Sequence, residues 1–391
     1  WLFVCNGTKP GPDIPHRETI YIKIKGEYAP TLYNTLNGEI TTHPARYPKG
    51  FTVITQEMDL HDSVLLKLTP GANTTEKAEA PPCLMPATEA PGWRDLPAPY
   101  SFTLAEPNVL LLDMACHDDG GDEAEEILRI DNHYRNKLGY PTRSETTQPW
   151  AIESNPDDFL HLTLRYTIPS EINLAQIHLA LENADQTEII WNGAPVNNTP
   201  EGYYVDRSIH TIPLPGLVVG DNHLTLRLRF SPHTPAEPAY LLGRFGVALR
   251  GKVATVTPYP ETLPFGDSSQ MGLPFYGGNI TYHCEITGTG ERMWLEASFF
   301  RCPLLSVKLN GEEKGVIAFS PYGLDLGVVP PGRHQLDITA YGNRNNTFGA
   351  LHNTNTTFWC GPHAWHTTGA QWSYEYRLKP TGILKSPRLI S

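Results

Sequence analysis

Hydrophobic and polar positions alternate along most of this chain. "HLTLRLRF" is the clearest case: Leu224, Leu226, Leu228 and Phe230 fall on one face, and His223, Thr225, Arg227 and Arg229 on the other. A period of two marks a strand with one wet face. "YIKIKG" near the start repeats it. Further strands are predicted in "FLHLTLRYTI", "AQIHLALEN", "TEIIWNG" and "YLLGRFGVALRG", then in "NITYHCEI", "LLSVKLNGE", "HQLDITAYG" and "WSYEYRLKPTGI". One stretch changes period. In "EAEEILRIDNHYRNKLGY", 123–140, Ile127, Ile130, Tyr134 and Leu138 recur every three to four residues, acidic side chains gather at the start, and Gly139 then Pro141 stop the run. This predicts a surface helix lying on a sheet.

Turn residues divide the strands into groups. Residues 1–70 read as a small β-sandwich lacking its first strands, with "LNGEI" as an Asn-Gly hairpin turn. Residues 71–100, rich in proline, alanine and glutamate, read as a linker. Two longer groups follow, 101–255, carrying the helix near 123–140 as an insertion, and 256–391. They share an order of features. "TEIIWNGAPV" matches "LSVKLNGEEKGV" at a strand and its Asn-Gly turn. Next come a strand bearing Asp206 or Asp325, a loop ending in "GDNHL" or "GRHQL", and a closing alternating strand. Two related sandwiches in tandem are expected.

Composition supports an all-β class of tandem β-sandwich or jelly-roll domains with one or a few short surface helices. The 391 residues include 33 glycines and 36 prolines, which helices tolerate poorly and tight turns require. The net charge of −12, with no basic stripe, argues against nucleic acid as a partner. No apolar run reaches the roughly 18 residues of a membrane span, so no membrane partner is expected either. "WLFVCNGTKPGP" has neither the basic start nor the apolar core of a signal peptide and reads as an interior strand followed by a turn. The chain is therefore expected to be a piece of something longer or a processed product, in a compartment the sequence does not fix. Cys5, Cys83, Cys116, Cys284, Cys302 and Cys360 lack CxxC spacing, so no zinc site is expected. Up to three disulfides would suit a secreted protein; free thiols are the expectation, because a core of this size needs no staples. Sequons such as those at Asn6, Asn73 and Asn279 arise easily in a chain rich in Asn and Thr.

The strand–NG–strand–D–G(D/R)(N/H)xL–strand pattern resembles the sugar-binding jelly roll of glycoside hydrolase family 2. The chain is similar, more closely, to the C-terminal region of long bacterial enzymes grouped with α-L-rhamnosidases or with family-2-like glycosidases. "YNTLNGEI", "EEILRIDNHYRNKLGYPTRSETTQPW", "AYLLGRFGV", "NRNNTFGALHN" and "GAQWSYEYRLKPTGI" carry that resemblance. It implies galactose-binding-like jelly rolls placed after a catalytic barrel, with that upstream domain and a glycan or glycoside as partners. No catalytic acid or nucleophile of the family carries over to a position here.

The residues themselves offer limited chemistry. No G-x-S-x-G elbow, H-E-x-x-H or Gly-rich phosphate loop occurs. "HDDGGDE" gathers Asp118, Asp119, Asp122 and Glu123 as a calcium loop would, but its spacing is not that of an EF-hand and a solvated hairpin tip is expected. No cofactor is expected. Glycosidic cleavage needs two carboxyls flanking one bond, about 5 Å or about 6.5–9.5 Å apart. Asp206 and Asp325 hold equivalent repeat positions, which suits structural hydrogen bonds better, and Glu237 is expected to anchor a loop. Sugar binding needs less: an aromatic face for the pyranose ring and in-plane partners for its hydroxyls. "GNRNNTFGALHN" and "TTFWCGPHAWHTTGAQW" provide Arg344, Asn345, Asn346, His352, Trp359, His363, Trp365 and Trp372 as candidates. The alternative is a loop whose asparagines satisfy its own backbone and whose rings cover the sandwich end.

Overall fold

The computed structural model describes residues 1–7, 18–35, 38–58, 62–72, 92–143, 145, 151–355 and 364–391. Nearly all regular structure is β, in several antiparallel sheets with two helices, consistent with β-sandwich domains. The chain forms two compact units: Trp1–Ala98 with His283–Ala340 and Ile383–Ser391, and Pro99–Tyr282 with Tyr341–Gly382. Residues 256–391, read from the sequence as one module, thus contribute to both. Among the described residues no helix is long and apolar enough to cross a membrane.

In the first unit, strands Leu2–Cys5, Ser63–Pro70, Tyr28–Tyr33 and Ile40–Thr42 form one sheet in that order, while Glu18–Lys25 pairs with Phe51–Met58. Ile54, Val64 and Leu66 make their small core. The same unit holds Glu312–Ile317, Leu305–Leu309 and Gly332–Ala340 as neighbours, and a four-stranded sheet ordered Gly323–Val328, Arg292–Glu296, Arg388–Ile390, Arg94–Asp95. Arg94 and Asp95 therefore pair in a sheet within the stretch expected to be linker; residues 73–91 of that stretch lie outside the described residues, as do residues 36–37 of the "LNGEI" turn.

The second unit is built on two sheets. In one, Leu160–Ser170 pairs with Gly220–Phe230 over eleven residues, from Leu160↔Phe230 to Ser170↔Gly220. The alternation predicted for "HLTLRLRF" holds here. Leu224, Leu226 and Phe230 face the core beside Leu162, Leu164 and Tyr166, while His223, Arg227 and Arg229 are exposed. The other sheet orders Gly202–Tyr204, Asp206–Leu214, Ile177–Leu181, Ala239–Gly243 and Asn108–Leu112. Its last two strands are buried throughout, which explains their unbroken apolar run.

The helix runs Ile127–Leu138, with Ile127, Ile130 and Tyr134 buried in this core. Gly139 ends it in the left-handed region at φ 79°, its N–H donating back to the carbonyls of Arg135 and Asn136, as a glycine C-cap should. The acidic start is different: Glu125 and Glu126 form a short strand paired with Ala115 and Met114. That pairing turns Glu126 inward, with 6% of its surface exposed.

Candidate functional site

A pocket of about 470 Å³ lies within the second unit. Its walls come from distant segments: the end of the buried strand Asn108–Leu112, the start of the helix, the ends of Ile177–Leu181 and Ala239–Gly243, and the loops at 347–352 and 365–367. Leu111, Ile209, Tyr240, Phe348, Leu351 and Trp365 give it an apolar lining. Asp113, Glu126, Glu182, Glu237, Arg143 and His352 are its charged groups.

One side is a buried network. Asp113 accepts the Tyr376 hydroxyl on Oδ1 at 2.7 Å and meets His352 Nε2 with Oδ2 at 3.2 Å. His352 Nδ1 lies 2.7 Å from the carbonyl of Ser373, which can only accept. A carboxylate at one nitrogen and a carbonyl at the other leave both ring nitrogens as donors, which is the charged imidazolium. Burial alone would lower the His352 pKa, but the carboxylates of Asp113 and Glu126 outweigh it and the value rises. Glu126 accepts the indole N–H of Trp372 on Oε2 at 2.6 Å. Burial pushes its carboxyl up to about 7 against the opposing pull of His352 and Trp372, so near neutral pH it exchanges a proton.

The opposite side is braced by Arg143. Its Nε bonds Asp131 at 2.9 Å, and its Nη2 bonds Glu237 at 2.6 Å and the Ala236 carbonyl at 3.1 Å. Burial opposes the guanidinium's charge, but Glu237 and Asp131 outweigh it. Asp131, fully buried, also holds Arg135 at 2.7 Å and accepts the Ala236 N–H. Glu182 has no hydrogen bond or ion pair among the described residues. Burial, then Glu237, raises its pKa.

Of the candidates read from the sequence, His352 and Trp365 line the pocket. Trp372 stands behind it, joined to Glu126 and 5.9 Å from the His352 ring. Asn346 clamps backbone, donating to the Lys379 carbonyl at 2.8 Å and accepting its N–H at 2.9 Å. Arg344 forms a two-pronged ion pair with Glu106. Asn345 is exposed, and its own N–H is capped by Asn343 at 3.1 Å. Trp359 and His363 lie outside the described residues. The loop at 342–353 thus ties itself down with its amides and contributes His352 to the pocket.

Sequence reasoning missed Asp113, Glu126, Arg143 and Glu182, and read Glu237 only as a loop anchor. Glu237 does anchor Arg143, and it faces the pocket as well. Glu126, between Glu125 and Ile127 in an acidic run, carried no local signal of its burial. Asp206 and Asp325 each accept the N–H two residues on, from Ser208 at 2.9 Å and Gly327 at 2.8 Å. Asp118 pairs with Arg165, and Asp119 accepts from Lys137 at 2.6 Å. Among the described residues no cluster of His, Cys, Asp and Glu is arranged to hold a metal.

No protein-family model and no curated protein matches this chain. Solved structures do. An α-L-rhamnosidase from Streptomyces avermitilis, complexed with L-rhamnose, aligns over 96% of this chain and 36% of its own, at 13% identity and a TM-score of 0.27. A rhamnosidase from Novosphingobium sp. PP1Y aligns over 61% and 24%, at 20% identity and a TM-score of 0.23. A GH2 β-galacturonidase from Eisenbergiella tayi aligns over 62% and 37%, at 10% identity and a TM-score of 0.23. The chain spans between a quarter and just over a third of these proteins, and the likeness is to parts of their β-rich fold.

Proposed function

We propose that this chain is a non-catalytic, carbohydrate-binding β-sandwich region of a glycoside hydrolase, and that the pocket of its second unit holds the sugar. One observation carries the reading. A volume of about 470 Å³, within the usual range for small-molecule sites, is lined by Tyr240, Phe348 and Trp365 together with carboxylates. A pyranose needs both: an apolar surface for its C–H face and acceptors for its hydroxyls. A catalytic domain on the same or a companion polypeptide is the partner this reading entails.

A second reading, acid–base chemistry at the pocket, draws on Glu126, whose pKa of about 7 suits proton transfer. The binding reading is preferred because both buried acids are already engaged. Asp113 is clamped by His352 and Tyr376, and Glu126 by Trp372. A glycan array probed with the wild-type chain and with Trp365→Ala tests the proposal, beside an aryl-glycoside assay. Saturable binding that weakens about tenfold or more in the variant, as for loss of a ring that stacks on the ligand, supports it. Uniformly flat binding overturns it, and turnover that vanishes in Glu126→Gln would favour the second reading.

A further inference from the structure

The sugar-binding reading, on which the following rests, leaves open what kind of sugar enters. The pocket's charges decide between classes. Four carboxyls line it, Asp113, Glu126, Glu182 and Glu237, against two cations, Arg143 and His352. The charge of each cation is already matched by a carboxylate. Both ring nitrogens of His352 are engaged, by Ser373 and Asp113. Arg143 has its charge matched by Asp131 at Nε and by Glu237 at Nη2, which also donates to the Ala236 carbonyl, and Nη1 alone bonds no described residue. A ligand carboxylate would therefore meet no positive charge that a carboxylate does not already balance, and it would face Glu182, which has no hydrogen bond or ion pair among the described residues. Like charges brought together where water is largely excluded are strongly unfavourable, and a buried anion without a partner adds its own desolvation cost. Sugar hydroxyls, in contrast, can donate to Glu182 and to the carboxyl oxygens of Glu126 and Glu237 that Trp372 and Arg143 leave unbonded.

We infer that the pocket admits uncharged sugars and excludes sugar acids, and that Glu182 is the residue enforcing the exclusion.

The test is a calorimetric titration of the whole chain at pH 8, above the value of about 7 for Glu126. Matched pairs are used: methyl glucoside with methyl glucuronide, and methyl galactoside with methyl galacturonide. The expected result is that the neutral member of a pair binds at least about tenfold more tightly than the acid, a modest share of the cost of a like-charge contact. Glu182→Gln keeps shape and removes a charge that burial and Glu237 disfavour, so it should hold or raise the unfolding midpoint. It should also shrink the neutral-to-acid ratio several-fold. A uronide that binds as tightly as its neutral twin, or a ratio unchanged by Glu182→Gln, overturns the inference while leaving sugar binding intact. Absence of saturable binding by either member of both pairs, with a flat glycan array, instead overturns the sugar-binding reading beneath it.

Discussion

Asn192 and Asn310 do the same work in different units. Each opens a two-residue hairpin turn in the left-handed region, at φ 48° and 51°, followed by a glycine at 82°, which is the turn that suits the twist of paired strands. Each donates its N–H to the closing strand, to the carbonyl of His223 or Gln335 at 2.8 Å, and accepts the N–H of that same residue with its side chain, at 2.7 or 3.0 Å. Their amide nitrogens reach equivalent neighbours, Asn222 Oδ1 at 3.1 Å and His334 Nδ1 at 2.8 Å. Asn222 in turn donates to the carbonyl of Val218, and His334 Nε2 to that of Pro330, both at 2.8 Å and four residues back. An imidazole and a carboxamide thus fill one role.

That equivalence fixes the outcome of exchanging them. His334→Asn should unfold at nearly the wild-type denaturant midpoint, because a carboxamide can accept from Asn310 and donate to Pro330. His334→Ala should cost about 1 kcal/mol, the usual worth of such a bond. Equal losses in the two variants would refute the shared role.

The turn asparagines themselves combine side-chain bonds with a backbone that most residues resist. Asn192→Ala should destabilise by about 2 kcal/mol, from the strain of a left-handed alanine and the lost bonds to His223 and Asn222. Asn192→Gly, free of the strain, should cost about half as much. Urea unfolding of both variants separates the two contributions.

Asp131 is predicted to be the costliest acid to neutralise. It is fully buried between Arg135 and Arg143, and Asp131→Asn would leave Arg135 charged without a counter-ion. Breaking a buried pair from one side costs about 3–5 kcal/mol. A loss under about 1 kcal/mol by chemical denaturation would mean that solvent reaches this cluster.

The sign of the pH dependence follows from Glu126. Its carboxyl titrates near 4.5 ordinarily and near 7 in the fold, so between those values the folded state holds the extra proton. Stability from this group falls as pH rises across that window and is level above it, by about 3 kcal/mol in all. His352, whose folded pKa is raised, works in the same direction: its contribution is whole below the unfolded value and is lost as pH passes the folded one. Glu126→Gln should therefore gain stability relative to wild type between pH 4.5 and 8. Parallel pH–stability curves for the two proteins would contradict this.

Much of the fold was legible because its causes are local. Alternation in 223–230 required only that one side of a strand be dry, the Ile127, Ile130 and Tyr134 stripe required only a helix on a sheet, and Asn-Gly fixed two hairpins. The loop at 342–353 announced its amides, and Asn346 and Asn353 do bind backbone. The pocket was not legible. Asp113, Glu182 and Glu237 each sit singly beside a strand end and Glu126 follows another glutamate, places where a carboxylate is unremarkable, and only the pairing of strands distant in sequence brings them together. Glu126 was read as part of an acidic helix start because nothing local distinguishes that from the short strand with Met114 that buries it.

The most direct measurement is a crystal of this chain soaked with the neutral glycoside that binds most tightly. A sugar ring is expected in the second unit's pocket, its C–H face on Trp365 and its hydroxyls within hydrogen-bond reach of Glu126, Glu182 or Glu237. An empty pocket under saturating ligand, or a sugar seated at Arg344 and Asn345 instead, would contradict it.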